Sequence, residues 1–245
     1  MTARKLYERY ASAVAYIIVE TPTGDESIGS AFHVGEGVFI TARHVVDGNK
    51  ILHVGTTVSR HVPDPKGSVT IHDKAGKFRY VPCGEGTLHS GPHFHPNDSI
   101  DVAAIVVDGL EPPTVPLGSH LDDWINDDAF ILAPVVVMGY PPIPFSREPL
   151  LVVARGEINA VVDKYTGGHP HFVISAMPRG GFSGGLCVVE WDFALGVVTE
   201  ALIHDNKPTE LGFMSVLSIE PIFVCLEHHG IIPTEQKAGW DRFWG

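Results

Sequence analysis

Positive charge is scarce in this chain of 245 residues. Its 17 lysines and arginines face 29 aspartates and glutamates, a formal net charge of −12. A nucleic-acid-binding face needs clustered positive charge to displace counterions, so the balance argues against that class of partner. Cysteine is scarce too. Three residues, Cys83, Cys187 and Cys225, are an odd set too small for a disulfide framework. Cys187 and Cys225 lie in apolar contexts and read as buried thiols. No apolar run approaches the roughly 18 residues that a membrane-spanning helix needs, which argues against a membrane partner. The longest, "AFILAPVVVMGY" and "DVAAIVV", suit buried strands better. The opening "MTARKLYERYASAVAYIIVE" has basic residues but neither the long apolar centre nor the small-residue cleavage site of a secretory leader. These absences point to a cytoplasmic protein, although a mature secreted chain with its leader removed would read the same way.

Apolar material is plentiful. With 44% hydrophobic and 19% charged residues, the chain can bury a sizeable core. About a dozen short segments rich in Val, Ile, Phe and Thr, among them "AVAYIIVE", "GVFITA", "VVVMGYP" and "HFVISA", are separated by Gly, Pro, Asp and Asn. They read as strands with turns between them, and the lack of alternating helices favours an antiparallel sandwich or barrel system over βαβ units. Two helices are expected. One spans residues 3–12 with Thr2 as N-cap. The other spans 219–228, with Ser218 at the cap, Gly230 just past the end, and Ile219, Ile222, Phe223 and Leu226 on one face. The Pro-, Gly- and Asp-rich stretch 108–128 makes a crossover between two strand-rich halves, with a boundary near 115–125. The tail after 231 is polar with late aromatics and has no evident role.

Chemistry concentrates in "PRGGFSGGLCVV", where Ser183 stands among Gly180, Gly181, Gly184 and Gly185. A serine hydroxyl is a weak nucleophile near neutral pH. It needs an adjacent base, an orienting group behind that base, and donors for the oxyanion it creates. Glycine lets backbone N–H groups converge on one point. A glycine-rich turn with no chemical role explains the motif equally well on its own, and it also fits the G-x-S-x-G elbow of α/β-hydrolases. His44, in "GVFITARHVVDG", follows a β-type run and suits a general base held at a strand end. Asp101, in "NDSIDVAAIVV", precedes an apolar strand, where a buried carboxylate needs a partner. Taken alone, an exposed strand-start aspartate is the commoner case.

Together "TARHVV", "DVAAI" and "GGFSGG", in the order His, Asp, Ser, resemble the trypsin-like, chymotrypsin-fold serine peptidases. The lead-in "GSAFHVGEGVFITARHVV" and the later "ALGVVTEA" resemble the same family, over roughly residues 13–228. The α/β-hydrolase elbow needs its acid and histidine after the serine. His204, His228, His229, Asp192 and Asp205 are available there, but "GGLCVVEWDFALGVV" after Ser183 reads as strand, turn and strand rather than as a helix.

The resemblance implies an all-β fold of two packed six-stranded antiparallel β-barrels, with a short N-terminal and a C-terminal helix. It implies a single peptidase domain over 1–245: first barrel about 13–115, second about 125–218, helix 219–228 and tail 231–245. It implies Ser183 as nucleophile, His44 as base, Asp101 as orienter, and the N–H groups of Gly181 and Ser183 as the oxyanion hole. Family members activated by cleavage carry an aspartate directly before the serine. Phe182 stands there instead, and the cysteines of secreted members are missing beside His44 and Ser183. Both departures resemble the intracellular bacterial, HtrA-like branch, although no PDZ-like domain fits after residue 231.

By the same resemblance, Met177 lies at the base of the specificity pocket, Thr199, Glu200 and Ala201 along its wall, and Phe213 opposite. A methionine base suits an apolar or small side chain, whereas an inward Glu200 would admit a basic one. Plain core is the other reading of Met177. His89, His93 and His95, like His169 and His171, have spacings that could suggest metal. Their Gly-, Pro- and Asn-rich surroundings favour loops, and neither a metal nor any other cofactor is expected. Trp124, Trp191, Trp240 and Trp244 read as core or interface. The expected activity is peptide-bond hydrolysis on a protein or peptide substrate, with room for a regulatory protein partner. A non-cleaving peptide-binding scaffold and an esterase-like hydrolase are the alternatives.

Overall fold

Residues 1–64, 66, 69–71, 74–118, 130–163, 169–176, 180–201, 203–204, 207–208 and 213–240 are described by the computed structural model. The chain starts with helix α1 (Ala3–Tyr10) and a 3-10 turn, Ala11–Ala13. Next come β1 (Val14–Glu20), β2 (Glu26–Gly35), β3 (Val38–Thr41), the one-turn helix α2 (Arg43–Val46) and β4 (Lys50–Thr56). A side sheet follows from β5 (Arg60–Pro63), β6 (Val69–Ile71) and β7 (Lys74–Val81), then β8 (Gly84–Phe94) and β9 (Ala103–Asp108). The second half holds β10 (Pro134–Gly139), β11 (Val152–Asp163), β12 (Pro170–Ile174), β13 (Leu186–Val189) and β14 (Phe193–Ala201). It ends with the short ribbon β15 (Ile203–His204) and β16 (Lys207–Pro208), then β17 (Met214–Leu217), α3 (Glu220–His228) and α4 (Thr234–Trp240).

Two closed antiparallel barrels result, in the orders β1-β2-β3-β9-β8-β4 and β10-β11-β12-β17-β14-β13. This is the six-plus-six chymotrypsin-like arrangement expected from the sequence. The near-continuous apolar strands follow from it, because many are covered on both faces. Along β1, Ala15, Ile17 and Val19 join Ala31, Phe39, Ala103, Ile105 and Val107 in one core. The alternate residues Val14 and Tyr16 pack into a second, larger cluster shared with the other barrel. Period-2 alternation thus becomes apolar on both phases.

Helix α1 is shorter than the expected 3–12, and Thr2 caps it by accepting from Lys5 N. Its buried Leu6 and Tyr10 lie against the second half of the chain, where Tyr10 and Arg9 both bond Asp192 in the β13–β14 turn. At α3 the expected cap is corrected. Ile219, in helical geometry, occupies the N-cap, and Ser218 is one residue too early, its N–H donating to Pro170 O in extension of the β12–β17 pairing. Gly230 ends α3 at φ +66° as expected.

The histidine-rich loop is a second correction. His89 and His93 lie on β8, which pairs with β9 through two register shifts around Ser90, whereas His171 lies on β12, the strand expected from "HFVISA". Gly91 and Pro92 sit within the bulged stretch, which absorbs residues that read as breakers. The His93 and His229 rings are 4.9 Å apart, and no three metal-binding side chains converge among the described residues.

Helix α4 had no counterpart in the sequence reading. It returns to the first barrel, where buried Gln236 donates to Val34 O (2.7 Å) and Val115 O (3.0 Å) and accepts from Leu117 N (3.0 Å). Nearby, His33 donates from Nδ1 to Pro113 O (3.1 Å), while its Nε2 accepts from Gly37 N (3.2 Å). Both ring nitrogens are committed to the neutral form, and burial holds its pKa below the ordinary histidine value. Burial lowers His93 and His95 as well. The unfolded chain therefore binds more protons than the folded one as pH falls through the unfolded histidine value of about 6.5. Stability should be full above that value and fall below it. Urea denaturation at pH 7.5 and pH 5 should show this loss, and His33→Gln, neutral at both pH values, should lessen it.

Candidate active site

His44 sits on α2, directly after β3 and the extended Ala42. Asp101 comes from the turn between β8 and β9 in the same barrel. That turn is tied by Ser99 N to Asn97 Oδ1 (3.0 Å), Ile100 N to Asn97 O (3.1 Å) and His95 N to Val102 O (3.2 Å). The Asp101 carboxylate holds His44 at two points. Oδ1 accepts from the backbone N–H (2.9 Å) and Oδ2 lies 2.7 Å from Nδ1. The backbone contact fixes where the residue sits, and the ring contact fixes its rotation. A carboxylate on Nδ1 selects the Nδ1–H tautomer and leaves Nε2 as the basic nitrogen. Arg43 braces the flank: its Nε bonds Asp47 (2.9 Å), its Nη1 pairs with Asp98 (2.9 Å), and its guanidinium lies 4.6 Å from the centre of the Phe94 ring.

Ser183 belongs to the turn between the second-barrel strands β12 and β13. Its hydroxyl donates to Thr199 O on β14 (3.2 Å). Gly185 N donates to Phe182 O (2.8 Å), and Gly184 N to Val198 O (2.7 Å), so the turn is tied both to itself and to β14. Among the described residues, neither Gly181 N nor Ser183 N has a protein acceptor. Two glycines are sterically required. Gly181 has φ +88°, and a Cβ there would lie 2.6 Å from Pro141 Cα and from Tyr140 O. Gly184 has φ +81°, and a Cβ there would collide with Ser30 O and Thr41 Oγ1 of the first barrel. The serine turn thus touches the strand end that leads into His44.

Phe182 lies in the cluster shared by the two barrels. It is 3% exposed and packs in the core with Gly139 beside its ring. Burying a phenylalanine contributes roughly 2–3 kcal/mol, so apolar packing anchors the turn. Of the expected pocket, Thr199 is buried on β14, the backbones of Glu200 and Ala201 continue that strand, and half-buried Phe213 precedes β17 where Ala201 pairs with Met214. Met177 lies outside the described residues, as do Trp124 and Trp244. Trp191 is partly exposed on the β13–β14 turn, stacked on Phe193 and edge-on to Phe130.

Gly184→Ala tests the barrel contact. The added methyl must displace either the turn or β2. A misplacement of about 1 Å costs roughly 100-fold in rate, so peptide hydrolysis by the folded variant should fall at least that far, measured against protein titrated by a native-state probe such as tryptophan fluorescence.

None of the curated proteins matches the sequence. Among solved structures, the M. tuberculosis Rv3671c protease in its active form superposes at a TM-score of 0.61 with 22% identity, covering 94% of this chain and 86% of that one. Its inactive form gives 0.59 and 22%, covering 92% and 93%. The HtrA-type protease AlgW with a tripeptide gives 0.58 and 21%, covering 96% of this chain and 65% of AlgW. At these identities the likeness establishes a common fold. The domain model for a trypsin-like peptidase matches residues 29–196, more than half of the chain and including His44, Asp101 and Ser183. On that match the chain belongs to the trypsin-like peptidases and is by class a serine endopeptidase.

Proposed function

We propose that His44, Asp101 and Ser183 act as one triad that hydrolyses peptide bonds through an acyl-enzyme. The observation that carries the reading is the two-point hold of Asp101 on His44, which leaves Nε2 as the basic nitrogen. In the reaction Ser183 Oγ turns from Thr199 O toward Nε2, gives up its proton and attacks the substrate carbonyl. The developing oxyanion takes the N–H groups of Gly181 and Ser183, which have no described protein acceptor to release. Losing one such donor typically costs about 3–4 kcal/mol of barrier. His44 then donates its proton to the leaving amine, and water repeats the sequence to free the acid. Asp101 stays ionised and stabilises the imidazolium.

Thr199, Glu200, Ala201, Met177 and Phe213 are the proposed walls of the pocket for the residue before the scissile bond. No cofactor takes part in these steps. A fluorophosphonate probe should label the wild type and leave Ser183→Ala unlabelled, while Asp101→Asn should lower kcat roughly 10⁴-fold. Labelling of Ser183→Ala would assign a different nucleophile. Turnover of simple esters without peptides would favour the esterase alternative.

Phe182 supports a second part of the proposal, that the turn assembles without a proteolytic cut. The position where an aspartate would await a new N-terminus is filled by a ring already packed in the core. Protein beginning at an intact Met1 should therefore hydrolyse peptides at its full rate. Activity that appears only after limited proteolysis, followed by mass spectrometry, would overturn this.

A further inference from the structure

Among the described residues, one buried residue outside the triad bonds both the serine turn and the strand end that leads into the histidine. Ser30, on β2, is fully buried. Its N–H donates to Ser183 O (2.9 Å) and its hydroxyl donates to Gly181 O (2.6 Å). The same hydroxyl accepts from Tyr140 N (2.8 Å), just after β10, and its carbonyl accepts from Thr41 Oγ1 (2.7 Å), three residues before His44. Its side chain is close-packed, since a Cβ on Gly139 would lie 2.9 Å from Ser30 Oγ.

The two carbonyls it holds belong to the two residues whose N–H groups are proposed to receive the oxyanion. A carbonyl fixed at Gly181 sets the peptide plane on one side of Phe182, and one fixed at Ser183 sets the plane beyond the nucleophile. The intervening Ser183 N–H is bracketed. Gly181, at φ +88°, has the backbone freedom to rotate if released. Through Thr41 the same residue ties this turn to the strand end that carries the base.

We propose that Ser30 is a positioning residue for acyl transfer, locking the oxyanion-donor turn to the barrel that holds His44. This rests on Ser183 being the nucleophile. The effect belongs to the transition state. The substrate's ground-state contacts along β14 do not involve Ser30, so kcat should fall while KM stays nearly constant.

The test is Ser30→Ala. It keeps the backbone bond to Ser183 O but leaves Gly181 O and Tyr140 N without their partner. In folded protein, quantified by active-site titration, kcat should drop about 10- to 100-fold, less than or comparable to removing an oxyanion donor outright, with KM changed less than threefold. Affinity for a peptide boronate, whose tetrahedral adduct presents an oxygen to the same donors, should fall by a similar factor. Binding of an uncleaved peptide should be equal in Ser183→Ala and in Ser183→Ala/Ser30→Ala. Thr41→Val, nearly isosteric, provides a milder variant should Ser30→Ala not fold, and should lower kcat several-fold with KM unchanged. A folded Ser30→Ala with wild-type kcat and boronate affinity would overturn the role, as would parallel loss of kcat and uncleaved-peptide binding, or an unchanged Thr41→Val. A wild type that neither labels nor cleaves would instead overturn the assignment of Ser183.

Discussion

Ser183 and His44, the proposed nucleophile and base, come from different barrels, so the proposed chemistry depends on how closely one backbone approaches the other. The contact at Gly184 sets that approach. With no side chain in the way, the turn after Ser183 rests against Ser30 and Thr41 of the first barrel. Hydrogen bonds specify the distance, and the shared apolar cluster, with Val14, Phe32 and Ile40 from one barrel and Met138, Tyr140 and Phe182 from the other, supplies the force that closes it. Packing of this density has little freedom to slide, which suits a reaction that tolerates little error in the position of the attacking atom.

Within that frame the two halves of the site are held by different physics. The His44–Asp101 unit is polar and partly solvated, kept in register by a carboxylate that bonds a backbone N–H and a ring nitrogen together. The serine turn is held by a buried ring on one side and by backbone hydrogen bonds to β14 on the other. An ion pair at Phe182 would have been strengthened or lost with the state of a distant amine. An apolar anchor has no such dependence and is retained as long as the core is.

Much of this was legible from the residues. Short apolar runs between Gly and Pro marked most of the barrel strands but not β8 or the side-sheet strands β5 and β7, and the order His, Asp, Ser separated the trypsin-like reading from the α/β-hydrolase elbow. The misreadings share a cause. "HSGPHFHP" looked like a loop because Gly and Pro are strand breakers locally, yet the bulged pairing of β8 with β9 accommodates both. Helix α4, in "TEQKAGW", has no apolar periodicity to betray it, because what holds it is a set of hydrogen bonds from Gln236 to backbone groups more than a hundred residues away. Ser30 carries no local signal either, since a serine between Gly29 and Ala31 gains its meaning only from four partners brought to it by folding.

The long reach of Gln236 has a consequence for how the chain is made. The first barrel's strands leave the ribosome early, but Val34 O, Val115 O and Leu117 N wait for a side chain 119 residues beyond Leu117. At about 5–20 residues per second, that wait is roughly 6–24 s. During it Val34 O, Val115 O and Leu117 N lack the side chain that pairs them in the finished fold. The proposed triad is likewise incomplete for the first part of that interval, because Ser183 belongs to the barrel synthesised after Leu117.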